Sequence, residues 1–318
     1  MGSEVSSVGV SSVSSVATAW RRLRHPLPKM IAPVLAALAL AAHAPTVAGA
    51  PACPVFPASN AWNQRVDKLP VAANSKRIVD AVGAGKPLHP DFGTGKIGIP
   101  YVVVGKATKR SKVSFDYADE SDKGPYPIPA KAPVEAGGDR HVLMVDRDAC
   151  RLYELYAAER RGSAWHAGSG AIFDLRSNKV RPAGWTSADA AGLPIFPGLA
   201  RYDEVRAGAI EHALRFTVPK TRKAYVYPAR HYASSSTDPS LPPMGLRVRL
   251  RPSFATSGYP RQARIVLEAL KRYGMILADN GSPWFVSGAP SSGWDDEALH
   301  ALTKVTGADF QVVDVPKR

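Results

Sequence analysis

The chain has 318 residues, of which 45% are apolar and 21% charged, with 41 Lys and Arg against 27 Asp and Glu. This length and apolar content exclude a largely disordered chain and allow one large domain or two small ones. The formal net charge of +14 favours polyanionic partners, although a basic surface can also serve solubility alone.

The first 50 residues have the pattern of an export signal. The basic run Arg21-Arg22-Leu23-Arg24 precedes an apolar stretch at 31–42, and Ala48-Gly49-Ala50 supplies the small residues of a cleavage point. The apolar stretch is shorter than the roughly 20 residues that span a bilayer, and no second one follows. We therefore predict a signal peptide and leader over residues 1–50, no membrane span, and a secreted protein, either periplasmic or extracellular.

The two cysteines, Cys53 and Cys150, both lie in the part that we expect to be exported. An even number of cysteines in an oxidising compartment predicts a disulfide bond. Their wide separation fits neither a metal site nor a redox motif, and we predict no cofactor and no bound metal. Residues 53–318 contain no internal repeat or long linker, so we expect a single β-rich domain there.

The predicted elements after Cys53 are mostly short strands. A helix is expected at Ser75–Val82, ended by Gly83, because Asn74 or Ser75 can cap its start. Helical spacing of apolar residues also predicts helices at Pro260–Tyr273 and Asp295–Val305. Runs rich in β-favouring residues, bounded by turn residues, predict strands at 97–104, 112–117, 141–146, 152–156, 165–173, 210–218, 224–227, 246–251, 275–278 and 310–315.

This succession indicates a mainly β fold, an antiparallel β-sandwich or distorted barrel with a few peripheral helices. In the strand at 246–251, Leu and Val alternate with Arg247, Arg249 and Arg251, which predicts a basic outer face. The dipeptide Asn280-Gly281 favours a hairpin turn after the strand at 275–278.

No motif of fixed spacing identifies a reaction, so candidate residues come from polar clusters in unusual settings. The densest cluster spans residues 184–231. Paired carboxylates there would suit glycoside hydrolysis, whereas His with Arg and Tyr would suit proton abstraction from a uronic acid. The residues that we predict to be catalytic are Asp189, Asp203, Glu204, His212, His231 and Asp279.

Four further residues are predicted to bind substrate. Trp185 lies in a glycine-flanked polar loop, and Trp284 follows a turn, so either ring could stack on a sugar. Arg230 and His141 are polar groups beside these segments. Each candidate also has an ordinary structural role open to it, such as a turn, a cap or a buried hydrogen bond.

Several motifs together resemble a widespread group of secreted bacterial proteins found in actinobacteria and proteobacteria. The resemblance covers residues 53–318, and it brings no established reaction or catalytic residues. Some members carry carbohydrate-binding modules, so the resemblance implies a polysaccharide substrate. The motifs are Cys53-Pro54-Val55-Phe56-Pro57, Asn60-Ala61-Trp62-Asn63, Asp139-Arg140-His141, the loop from Gly184 to Pro194, Pro228-Ala229-Arg230-His231, Pro243-Met244-Gly245 and Ala278-Asp279-Asn280-Gly281-Ser282.

The sequence therefore predicts a secreted carbohydrate-active enzyme, a glycoside hydrolase or polysaccharide lyase, acting on a polysaccharide or another polyanionic extracellular substrate. One alternative is a glycan- or envelope-binding protein without catalysis, using exposed aromatic rings and the arginine face at 246–251. A second alternative is a secreted phosphodiesterase-like enzyme. Nucleic acid is not the expected partner.

Overall fold

The structure, a computed structural model, describes residues 44–316. Strand residues outnumber helical residues, 26% to 17%, and no sheet within the described range closes into a barrel. The prediction of a mainly β, sandwich-like fold is therefore confirmed. The strands are β1 (Thr46–Val47), β2 (Ala50–Pro54), β3 (His89–Asp91), β4 (Tyr101–Val104), β5 (Val113–Phe115), β6 (Val142–Asp146), β7 (Arg151–Tyr156), β8 (Glu159–Arg161), β9 (Ala164–Ala167), β10 (Ser169–Asp174), β11 (Leu214–Val218), β12 (Arg247–Leu250), β13 (Met275–Asn280), β14 (Phe285–Ser287) and β15 (Phe310–Val312).

The strands form a short hairpin and three larger sheets. β1 pairs with β2. The largest sheet has six strands in the order β15-β12-β13-β11-β14-β3, the second has the order β10-β7-β6-β4, and the third has the order β5-β9-β8. All three are mixed sheets, because β11–β13, β14–β3, β4–β6 and β5–β9 are parallel pairs within otherwise antiparallel arrangements.

The helices are short. Three of the four lie at predicted positions, and the helix Tyr202–Ala207 was not predicted. They are α1 (Ser75–Val82), α2 (Tyr202–Ala207), α3 (Arg261–Arg272) and α4 (Asp296–His300). Gly83 ends α1 in the left-handed conformation, where glycine carries no Cβ penalty. The helix expected over 295–305 is α4 followed by a 3₁₀ turn, Ala301–Lys304, and the Asp295 carboxylate caps α4 by accepting from the Ala298 N–H.

The four-stranded sheet contributes to two hydrophobic cores. Leu143 and Val145 of β6 belong to the main core, which also contains β11 and β13, whereas Val142 and Met144 belong to a second core shared with β5 and β9. Alternate side chains of a strand point to opposite faces, so both faces of this sheet are covered. All five residues of β6 are buried for that reason.

Three local predictions are wrong. The segment at 224–227 is not a strand but forms a single β-bridge between Tyr225 and Met244. Arg247 and Arg249 are buried, 4% and 5% exposed, and their guanidinium groups donate to backbone carbonyls of residues 61, 64, 66, 67 and 273. Residues before α1 therefore cover the expected basic face. Asn280-Gly281 does not join a hairpin, because β11 lies between β13 and β14.

The predicted disulfide bond between Cys53 and Cys150 is present. It joins β2 to the turn between β6 and β7. Most of the predicted signal peptide lies outside the described residues, and the β1–β2 hairpin spans its expected cleavage point at Ala50. No helix among residues 44–316 is long and apolar enough to cross a membrane.

We expect the double substitution Cys53→Ser and Cys150→Ser to lower the free energy of unfolding by about 4–5 kcal/mol, because the disulfide closes a long loop in the unfolded chain. The residues are 97 positions apart. Urea denaturation of the oxidised protein and of the double variant measures the difference. A thiol reductant should destabilise only the original protein, and equal unfolding midpoints would contradict the expectation.

Candidate functional site

A cavity of about 370 Å³ lies where the loop at 186–190 meets the ends of β7 and β13. Three of the predicted catalytic residues line it: Asp189, His231 and Asp279. Glu120, Asp139 and Tyr156 line it as well. The cavity is large enough for a ligand of a few rings, so we take it as the candidate active site.

Asp189 is fixed beneath the cavity by a buried ion pair. Its two carboxylate oxygens accept from Nε and Nη2 of Arg215 on β11, at 2.8 and 2.9 Å. Arg215 Nη1 also donates to the Ser287 hydroxyl on β14 at 2.5 Å. Burial disfavours the charged guanidinium, but the charge and hydrogen bonds of Asp189 outweigh it and raise the pKa of Arg215.

The loop that carries Asp189 is built by local hydrogen bonds. The Ser187 hydroxyl accepts from the Asp189 N–H at 2.9 Å and donates to the Leu193 carbonyl at 2.5 Å. Gly192 turns the chain at φ +69°, and a Cβ there would lie 2.5 Å from the Trp185 carbonyl oxygen. Gly192 therefore allows the tight turn of this loop. The loop in turn places the Asp189 carboxylate against Arg215.

Asp279, at the end of β13, faces the cavity beside this ion pair. Burial raises the pKa of its carboxyl to about 7, and the negative charge and hydrogen bond of Asp189 add to the effect, while Arg215 opposes it. The guanidinium Nη2 lies 3.6 Å from Asp279 Oδ2. Because two adjacent carboxyls do not both ionise easily, Asp279 holds its proton to a higher pH than an ordinary aspartate does.

Two further buried titratable groups, Glu154 and His141, lie on or next to strands of the four-stranded sheet. Glu154 of β7 is fully buried and accepts from the N–H groups of Ile195 and Phe196. Burial raises its pKa to about 7, although those N–H groups oppose the shift. His141 contacts acceptors through both ring nitrogens, Glu135 at 2.5 Å and the Ala188 carbonyl at 3.0 Å.

His141 is therefore held as an imidazolium. Burial disfavours that charge, but the hydrogen bond and charge of Glu135 outweigh it and raise the pKa of His141. Its hydrogen bond to the Ala188 carbonyl fixes the position of Ala188, the residue before Asp189. His141 was predicted to bind substrate; the structure places it under the loop and not among the residues that line the cavity.

His231 presents one open ring nitrogen. Its Nδ1 lies 2.8 Å from the Ala190 carbonyl, and because a carbonyl only accepts, Nδ1 carries the hydrogen. Nε2 has no hydrogen-bond partner among the described residues. The tyrosine rings of Tyr117 and Tyr156 line the same cavity and could pack against a sugar face.

The serine and threonine hydroxyl groups that line the cavity are already engaged. Ser169 donates to the Ser187 carbonyl at 2.6 Å, Ser187 donates within its own loop, and Thr186 donates to the Asp189 carbonyl at 3.2 Å. None of them pairs with His231. The site therefore lacks the serine–histidine arrangement of a nucleophilic hydrolase, and its chemistry rests on carboxyl groups and the imidazole.

Three predicted catalytic residues lie elsewhere. Glu204 forms a buried cluster with Arg201 and His212. Burial acts to raise the pKa of Glu204, but the interactions with Arg201 and His212 outweigh it and lower that pKa. Asp203 lines a different cavity with Arg206. These groups do not converge with Asp279, because α2 carries both acids to another part of the fold. Among residues 44–316 no His, Cys, Asp and Glu side chains are grouped to hold a metal ion.

The predicted aromatic and arginine contacts also differ. Trp284 is 1% exposed, stacks between Phe216 and Phe310 and donates to the Gly83 carbonyl, so it is a core residue and not a sugar platform. Trp185 is partly exposed and packs against Arg181. Arg230 donates to the Arg181 carbonyl at 3.0 Å. Neither Trp185 nor Arg230 lines the cavity.

The sequence analysis missed several residues that line or support the cavity. Asp139 lies two residues before His141, and Glu120 lies in a 3₁₀ turn, Ala118–Glu120, far from the loop at 186–190 in the chain. Arg215 sits on the face of its strand opposite Leu214 and Phe216, where a charged residue usually faces solvent. Only the placement of an arginine on a strand between large apolar residues hinted at a buried partner.

The buried Glu154 carboxyl should make stability depend on pH. The pKa of Glu154 is about 7 in the folded protein and 4.5 ordinarily. Its contribution to the stability of the folded protein is therefore complete below about pH 4.5 and is lost as the pH rises through 7. The free energy of unfolding of Glu154→Gln, relative to the original protein, should therefore rise by roughly 3 kcal/mol from pH 4 to pH 8. Urea titrations at both pH values measure it, and a pH-independent difference would contradict it.

Comparisons with protein-family models, with curated proteins and with solved structures find no match for this chain. The function must therefore be argued from the cavity itself.

Proposed function

We propose that the protein is a secreted carbohydrate-active enzyme that hydrolyses glycosidic bonds in the cavity, with Asp279 as the general acid. The observation that carries the proposal is the position of the Asp279 carboxyl, which lines the cavity beside the ion pair of Asp189 and Arg215 and whose pKa burial raises to about 7. Glycoside hydrolysis needs a carboxylic acid that keeps its proton near neutral pH and delivers it to the leaving oxygen.

The second group of the reaction must accept a proton from water. Asp189 is unsuited, because both of its oxygens face Arg215 and it is also hydrogen-bonded to Asp279. His231 offers the open Nε2. In this mechanism water attacks the anomeric carbon and loses a proton to Nε2, while the C–O bond breaks and the leaving oxygen takes the proton of Asp279.

The charges of the cavity support hydrolysis over the alternatives. A lyase acting on uronic acids needs a cation against the substrate carboxylate, and a phosphodiesterase needs one against phosphate. Arg230 does not line the cavity, and Arg215 is occupied by Asp189 beneath it. The substrate is therefore not the polyanion that the net charge of the chain suggests.

Export is the other part of the proposal. It is supported by the signal-like pattern of residues 1–50 and by the resemblance to secreted proteins. The disulfide bond of Cys53 and Cys150 also supports it, because such bonds persist in oxidising compartments. An enzyme in that location meets polysaccharides of the cell envelope and of the surroundings.

We expect Asp279→Asn to lower the rate of polysaccharide hydrolysis by about 10²–10⁴, because the amide cannot donate the proton. Reducing ends released from a panel of neutral, basic and acidic polysaccharides measure the rate. The matched control is Asp203→Asn, an equal change in a different cavity, which should keep full activity. A dead Asp203 variant, or a fully active Asp279 variant, would contradict the assignment.

An aryl glycoside with an acidic phenol as leaving group separates an acid catalyst from a residue that only maintains the fold. Such a leaving group needs no protonation, so Asp279→Asn should cleave it nearly as fast as the original protein does. Equal losses on polysaccharide and aryl glycoside would point to a structural defect. Binding of a polysaccharide with no product from the original protein would favour a glycan-binding protein instead.

The pH profile should follow the ionisation of Asp279. The protonated form is the active one, so kcat/KM on a neutral polysaccharide should fall above about pH 7, approaching tenfold per pH unit. Initial rates across the neutral and alkaline range measure this limb. A profile that stays flat well above pH 7 would exclude Asp279 as the acid.

A further inference from the structure

The cavity and the whole chain have opposite charge. The chain carries +14, but the cavity lining contains four carboxyl side chains, Glu120, Asp139, Asp189 and Asp279, and no Lys or Arg. An acidic cavity in a basic protein selects ligands differently from the outer surface. The selectivity of the site therefore depends on which of the four carboxyls remain uncompensated.

Two of the four are compensated internally. The charge of Asp189 is balanced by Arg215, and Asp279 keeps its proton near neutral pH. Glu120 accepts only the Thr186 N–H, through Oε2 at 2.9 Å. The Asp139 carboxylate has no hydrogen bond or ion pair to any described residue. These two groups leave about two negative charges at the cavity wall.

The nearest basic side chains do not neutralise them. Arg181 contacts the Glu120 backbone, but its guanidinium donates to the Asp122 carboxylate and to the carbonyls of Thr186 and Glu120. Arg140 follows Asp139, yet its Nε donates to the Ala158 carbonyl at 3.1 Å. Neither of these arginines lines the cavity. His231 is the basic residue of the lining, and its imidazole is neutral when it serves as a base.

We propose that the cavity takes a glycan with free amino groups, whose ammonium substituent is held by the carboxylates of Glu120 and Asp139. The inference rests on the proposed function of the same site and names its substrate class. Tyr117 and Tyr156 line the cavity beside these carboxylates. The pKa of Tyr156 is raised by burial and by the charges of Asp139 and Asp279.

The experiment compares matched polymers that differ only in charge. The probes are a β-1,4-linked glucosamine polymer, the same polymer fully N-acetylated as soluble oligomers, and a uronic acid polymer of similar length. Binding is measured by calorimetry with Asp279→Asn at mildly acidic pH, where the amino groups are charged. We expect the amino polymer to bind at least tenfold more tightly than the acetylated one, and the uronate polymer not to bind in the cavity.

The variants locate the effect. Asp139→Asn and Glu120→Gln should each weaken binding of the amino polymer by about threefold to tenfold, as for partly exposed ion pairs, and leave binding of the acetylated oligomers unchanged. Asp119→Asn, an acid next to Glu120 that does not line the cavity, is the control and should bind the amino polymer normally. Tighter binding of acetylated or uronate polymers would overturn the inference.

Binding and turnover fail separately. If the amino polymer binds through Glu120 and Asp139 but no product forms, the substrate class stands and the hydrolase proposal falls. If a neutral polysaccharide is hydrolysed through Asp279 and the amino polymer has no advantage, the hydrolase stands and the amino-sugar inference falls.

Discussion

The ion pair between Asp189 and Arg215 links the main parts of the molecule. Arg215 belongs to β11 of the six-stranded sheet, and Asp189 belongs to a loop whose Ala188 carbonyl rests on His141, beside the four-stranded sheet. Removing one partner of a buried pair leaves an uncompensated charge, which typically costs about 3–5 kcal/mol. Burial raises the pKa of the adjacent Asp279, the charge of Asp189 adds to the effect, and Arg215 opposes it. The pair that joins these parts of the fold therefore also affects the acidity of the group at the cavity.

Burial is the main cause of the raised pKa values in this region. Arg215 and His141 are the basic groups, whereas Glu135, Asp189, Glu154 and Asp279 are the acids. Burial raises the pKa values of Glu154 and Asp279 to about 7, and the charge of Asp189 adds to both shifts. Glu154 is buried because the four-stranded sheet is covered on both faces, so its carboxyl can be satisfied only by backbone N–H groups. Asp279 is the member of the set that also meets the cavity.

Local pattern predicted the elements well, and it identified part of the site. Glycine and proline punctuation placed α1 and α3, and the polar loop between Gly184 and Pro194 identified Asp189. The failures share a cause, which is that the partner lies far away in the chain. The residues next to Arg247 in the chain do not indicate that its guanidinium donates to the carbonyl of Ala61. The pairing of His212 with Glu204 likewise depends on how α2 packs. Glu120 and Asp139 reach the cavity through the same kind of long-range contact.

The opposite signs of the surface and the cavity can serve different steps of one function. At physiological ionic strength, charges are screened beyond about 8 Å, so a bound sugar experiences the nearby carboxylates of Glu120 and Asp139 and little of the net +14. In the proposed function, the outer basic groups would interact with anionic polymers of an envelope and hold the enzyme near its substrate. Within the cavity, an ammonium group beside these carboxylates would replace the missing counter-cation, and the neutral Asp279 would remain free to donate its proton.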